Sequence, residues 1–137
     1  MKKFAYFMLV FSFLILSISL ISFFFATRTL QTQAFYASVT VTNENVIGFD
    51  VNATALTFGK IGVGRGSSAR KLILNNSYPF PIIVKTKVDG SIKPILNFGD
   101  SIRIEKGEMK MIPFNTFAGN VSEGFYEGTV ELVIKPG

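Results

Sequence analysis

From Phe4 to Ala26 the chain is apolar on every side, with no charge, no Gly and no Pro; its polar positions there are Ser12, Ser17, Ser19 and Ser22. As a helix these 23 residues would reach about 35 Å, enough to cross a hydrocarbon core of about 30 Å. Fifteen of them are Phe, Leu, Ile or Val. At roughly −0.3 to −0.6 kcal/mol each near mid-membrane, such side chains favour insertion by about 4 to 9 kcal/mol before the serines are counted. Serine hydroxyls can bond back to helix carbonyls, which lowers their cost. A helix in a water-soluble core would need a polar face, and this segment has none.

Beyond residue 35 the pattern switches to a period of two. Ile47, Phe49, Val51 and Ala53 alternate with Gly48, Asp50, Asn52 and Thr54 over Val46–Thr54. Ile82, Val84, Thr86 and Val88 alternate with Ile83, Lys85 and Lys87, and Tyr126, Gly128, Val130, Leu132 and Ile134 with Glu127, Thr129, Glu131, Val133 and Lys135. This is the signature of half-buried strands. Shorter candidates are Tyr36–Thr42, Leu56–Ile61, Ala69–Asn75, Ile92–Phe98, Ser101–Glu105 and Met109–Phe114.

Turn residues separate these runs: Gly62-Val63-Gly64-Arg65-Gly66-Ser67-Ser68, Asn75-Asn76-Ser77-Tyr78-Pro79, Asp89-Gly90-Ser91, Gly99-Asp100 and Glu105-Lys106-Gly107. Pro79, Pro81, Pro94 and Pro113 lack the N–H of a central ladder and mark strand starts, edges or bulges. Short strands at this spacing predict an all-β fold, an immunoglobulin-like β-sandwich of about seven strands preceded by one N-terminal transmembrane helix.

The expected organisation is a cytoplasmic stub (residues 1–3), a signal-anchor helix (4–26), a stalk (27–35) and an extracytoplasmic sandwich (36–137). Lys2 and Lys3 precede the span and only Arg28 closely follows it, so the positive-inside rule keeps the N-terminus in the cytoplasm and exports the rest. The competing reading is a cleaved signal peptide, with Thr32-Gln33-Ala34 loosely resembling a cleavage site. Its apolar region would run only about 7 to 15 residues, and the longer segment here favours the uncleaved anchor.

Leu56-Thr57-Phe58-Gly59-Lys60-Ile61, the Gly/Ser-rich turn and Arg70-Lys71-Leu72-Ile73-Leu74-Asn75-Asn76 resemble the opening of Hydin-type modules, immunoglobulin-like domains related to the major sperm protein fold. Gly124-Phe125-Tyr126-Glu127-Gly128-Thr129-Val130 resembles their final hairpin. The resemblance covers Val46 to Ile134 and implies a membrane-anchored module of prokaryotic, archaeal cell-surface type. Antibody-type domains are a poorer match, because the chain has no Cys pair and no Trp. Tyr126 stands where a tyrosine corner would place it, with Ser122 in place of the Asp often found there, and an ordinary buried Tyr remains the alternative reading.

Composition then removes chemistry. With no His and no Cys, a Ser-His-Asp triad, a Cys nucleophile and a thiolate or imidazole metal site are all closed, as is any disulfide. The formal charge of +5 includes Lys2 and Lys3, and the bases beyond the span are scattered, so no nucleic-acid partner is expected. Ser68-Ala69-Arg70-Lys71 matches Ser-x-x-Lys, but its companion elements are missing. Gly59–Ser68 lacks the spacing of a phosphate loop and reads as an inter-strand loop. The nearby Lys60, Arg65, Arg70 and Lys71 read as solvated charges before they read as a site for an anionic polymer. No calcium-loop run occurs; Glu123 and Glu127 could share a cation, or pair with Lys85 or Lys87 across strands. No catalytic residue, metal or cofactor is therefore assigned. Asn-x-Ser/Thr occurs at Asn52, Asn75 and Asn120, against roughly one expected by chance, and these are the candidate glycosylation sites.

The expected function is a single-pass protein whose partner is the bilayer through residues 4–26. Its exported, non-catalytic domain binds an envelope protein or associates with itself through sandwich edge strands. The alternative is a subunit or accessory protein of a pilin- or archaellum-like surface filament, with the helix in the fibre core or anchoring it. Pilin-type precursors place Gly or Ala after a basic pair and a Glu soon after, and Lys2-Lys3-Phe4 has neither. A small exported enzyme is the remaining class.

Overall fold

The computed structural model describes residues 1–43 and 55–137, so the predicted strand over Val46–Thr54 lies outside the described residues. The N-terminal helix α1 (Lys2–Thr27) exceeds the predicted span at both ends, and every one of its residues is at least partly exposed. Ser17 Oγ donates to the Phe13 carbonyl at 2.9 Å and Thr27 Oγ1 to that of Phe23 at 3.0 Å, the back-bonding an apolar surrounding demands. The helix is long and apolar enough to cross a membrane.

Eight strands follow among the described residues: β1 (Gln31–Thr42), β2 (Leu56–Gly62), β3 (Ser67–Asn75), β4 (Ile82–Gly90), β5 (Leu96–Phe98), β6 (Ser101–Ile104), β7 (Met109–Phe117) and β8 (Gly124–Pro136). They form a five-stranded sheet in the order β2-β1-β8-β4-β6 and a three-stranded sheet in the order β3-β7-β5. All described pairings are antiparallel except β1 with β2. The chain is thus mostly β with one apolar helix, and its sheets stack in a sandwich-like arrangement.

The core lies between the sheets, where alternation sends one face of each strand. β8 contributes Val130, Leu132 and Ile134, β4 contributes Ile82, Val84 and Val88, and β7 closes the layer from the other side with Ile112 and Phe114. β4 and β8 pair Gly90 with Gly128, where Ile92 packs against the ladder. A Cβ on Gly128 would lie 2.0 Å from the Asp89 carbonyl oxygen, which leaves glycine as the residue that fits.

Two sequence expectations are corrected. Residues 31–35 are not stalk: β1 begins at Gln31 and pairs with β8 without interruption from Gln31–Ile134 to Val41–Gly124. Ladder hydrogen bonds join main chain to main chain, so the polar run Gln31-Thr32-Gln33 enters the sheet despite its weak alternation. The second correction falls in Ile92–Phe98, of which only Leu96–Phe98 is strand. Residues 91–95 form a tight turn in which the Ile95 and Leu96 amides both donate to the Ile92 carbonyl at 3.0 Å. Ile92 and Ile95 are both buried, three residues apart, a spacing that a turn satisfies and a strand does not.

Candidate functional site

Strand directions give the sandwich two distinct ends. One holds the start of β1, the ends of β3 and β8, the 76–81 and 105–108 connections, and the junction with α1. The other holds the β2–β3 and β7–β8 connections and the 91–95 turn.

At the helix end the connection is short. Thr27 closes α1 and the Leu30 amide already donates to the Ile134 carbonyl at 2.8 Å, leaving Arg28 and Thr29 as the link. A groove of about 290 Å³ opens there, lined by Phe25, Ala26, Arg28, Leu30, Phe80 and Pro136. The Arg28 guanidinium lies 5.3 Å from the centre of the Phe25 ring, within cation–π range. Phe80 stacks on Tyr78 with ring centres 5.6 Å apart.

Asn76 holds this end together. Its side chain is buried; Nδ2 donates to the carbonyls of Phe80 (2.9 Å), Ile104 (3.1 Å) and Glu105 (3.1 Å), while Oδ1 accepts from the Tyr78 amide (3.0 Å). Its main chain bridges the 105–108 connection, donating to the Glu108 carbonyl and accepting from the Gly107 amide. One carboxamide thereby fixes two connections and the end of β6. In the sequence Asn76 stands out only as a turn residue beside the candidate acceptor Asn75.

At the far end, the β2–β3 connection turns so tightly that the Gly66 amide donates to the Gly62 carbonyl at 2.8 Å. Beside it a cleft of about 530 Å³ is lined in part by Lys60, Arg65, Arg70, Ser67 and Ser68. Arg70 Nε donates to the Thr57 carbonyl at 2.8 Å and so bridges the sheets. Ser68 and Lys71 do not meet as a catalytic pair would: three residues apart on β3, they point to opposite faces.

The carboxylates are also used differently from the sequence expectation. Glu127 accepts the Tyr36 hydroxyl at 2.7 Å, and that hydrogen bond raises the Tyr36 pKa above the ordinary phenol value. Glu123 accepts the Asn43 amide at 2.6 Å. Across β4 and β8 it is Glu131, not Glu127, that stands opposite Lys87, while Val133 faces Lys85. Arg103–Glu105 and Lys110–Glu108 are the ion pairs among the described residues, where no group of acidic side chains is clustered as a metal site.

Of the three candidate acceptor asparagines, Asn75 is exposed at the helix-proximal end of β3 and Asn120 is exposed in the β7–β8 connection at the opposite end. Asn52 lies outside the described residues. The Tyr126 hydroxyl donates to the Ser122 carbonyl four residues upstream at 2.8 Å, the contact expected of a tyrosine corner. Comparison with family models, curated proteins and solved structures finds no match to this chain.

Proposed function

We propose that the chain is a single-pass membrane protein whose α1 anchors an immunoglobulin-like sandwich on the extracytoplasmic side, where the domain has a structural or protein-binding role and no catalytic one. The observation that carries this reading is a helix apolar on all sides, with no residue buried by its own domain, joined to the β1–β8 pair through Arg28 and Thr29. Such a surface needs lipid or other helices around it. The tyrosine-corner contact of Tyr126 supports the immunoglobulin-like assignment. The outward face of the three-stranded sheet supports partner binding, because Ile73 pairs with Met111 there and both are exposed beside Met109.

The same helix would also pack among copies in a fibre core, and one experiment separates the two. Full-length protein in isolated membranes is expected to resist alkaline carbonate extraction and, once purified in detergent, to give single particles in negative stain. Release by carbonate would remove the anchor reading. Fibres would transfer the assignment to a filament subunit.

A further inference from the structure

We infer that the Tyr78–Phe80 loop docks the sandwich onto the phospholipid surface, so that the domain lies against the bilayer instead of swinging free on its anchor. This inference rests on the proposed membrane anchor and adds a second, reversible contact to it.

Depth is the first reason. With the apolar run 4–26 centred in the bilayer, its 35 Å or so of helix places Ala26 about 2 to 3 Å beyond the edge of the hydrocarbon core, inside the headgroup layer. Phe80 lines the same groove as Phe25 and Ala26, so its ring lies beside the end of the helix that reaches this layer. Chain length allows little else: from Thr27 to Leu30 the link spans at most about 11 Å even when fully extended.

Chemistry is the second. Tyr78 and Phe80 form a stacked aromatic pair flanked by Pro79 and Pro81, a stiff and partly exposed apolar tip whose phenol adds a polar edge. Aromatic rings of this kind favour the membrane–water interface. Charge agrees with it. The side chains at this end include Arg28, Arg103, Lys106, Lys110 and Lys135 against Glu105 and Glu108, a surplus of three positive charges toward lipid phosphates. Asn76 supplies the rigidity, since its carboxamide ties the loop at both Tyr78 and Phe80.

The chain has no Trp, so a single introduced indole reports its own position. Full-length Phe80→Trp, Phe125→Trp and Phe13→Trp variants would be reconstituted in phosphatidylcholine vesicles, then quenched with acrylamide from water and with lipids brominated high on the acyl chains. Phe125 is exposed at the far end of the sandwich and Phe13 lies mid-helix. The indole at position 80 is expected to be quenched by brominated lipid and severalfold less by acrylamide than the one at position 125. Tyr78→Trp reports the same loop if Phe80→Trp folds poorly by circular dichroism. Lipid quenching at position 13 with full acrylamide access at 80 and 78 would leave the anchor standing and overturn the docking. Loss of lipid quenching at position 13 would overturn both.

Discussion

Phe114→Ala is expected to destabilise the sandwich by about 3 to 5 kcal/mol, the range for removing a large aromatic side chain from a packed core. Phe114 is 0% exposed in β7, with Arg70 and Phe98 opposite on the flanking strands. The three-stranded sheet covers the core largely through β7, so a cavity here cannot be filled by a shift of one neighbour. A domain of this size has on the order of 5 to 15 kcal/mol in total and no disulfide to support it. The variant should therefore unfold at much lower urea, with an unchanged slope, when the detergent-solubilised chain is titrated by circular dichroism. Ile73→Ala, at a side chain 63% exposed on the outer face of the same sheet, should cost under about 0.5 kcal/mol. Equal losses in the two variants would mean that the faces of this sheet are assigned the wrong way round.

The second large effect is expected at Asn76. Asn76→Ala removes the donors to three carbonyls and the acceptor for the Tyr78 amide, and of these the Ile104 carbonyl is fully enclosed. Leaving buried main-chain groups without partners costs about 1 to 3 kcal/mol for one such group, and partial access of water to the others brings the total to about 2 to 4 kcal/mol. Asn76→Asp should be no better, because it sets a carboxylate against three carbonyl oxygens. Asn75→Ala, one residue earlier and exposed, should stay within about 0.5 kcal/mol of the parent. The adjacent pair makes a sharp comparison by urea titration. If the two alanine variants lose equal stability, Asn76 is an ordinary turn residue.

These two residues also mark how far the chain could be read without coordinates. β4 and β8 are legible because most of their apolar residues share one face and their charges the other: Val84, Thr86 and Val88 are buried while Lys85 and Lys87 are exposed. In β7 both faces carry apolar residues, Met109, Met111 and Phe117 on one and Ile112 and Phe114 on the other. Alternation predicts a strand there without saying which face is inside; packing against the larger sheet decides. The start of β1 was hidden for another reason. Its polar residues join the sheet through main-chain pairing with β8, which leaves no mark in side-chain pattern. Asn76 is invisible at the level of composition, since an asparagine in an Asn-Asn-Ser-Tyr-Pro run looks like turn chemistry whether or not its side chain is buried.

The candidate site was legible in part. The apolar span and its basic start were read from sequence. The groove at its far end was not, because Phe80 and Pro136 come to the same place as Phe25 only once β8 has returned along β1 and paired with β4. The basic residues near the Gly-rich turn do gather at one cleft, although Lys71 points away from it. Glu123 and Glu127 accept an amide and a phenol, contacts that their positions in the sequence do not show.

A chain held across a membrane with its sandwich outside can be tested by cysteine labelling, because the sequence has no Cys of its own. Two full-length variants, one with a cysteine inserted after Met1 so that both lysines before the helix are kept and the other Lys93→Cys, exposed in the 91–95 turn, would be treated on intact cells with a membrane-impermeant maleimide. Membrane-bound protein is expected to be labelled at position 93 at once and at the inserted cysteine only after permeabilisation. Labelling of the inserted cysteine on intact cells, or recovery of the position 93 variant from the medium instead of the membranes, would mean that the helix does not hold the sandwich outside the membrane in this way.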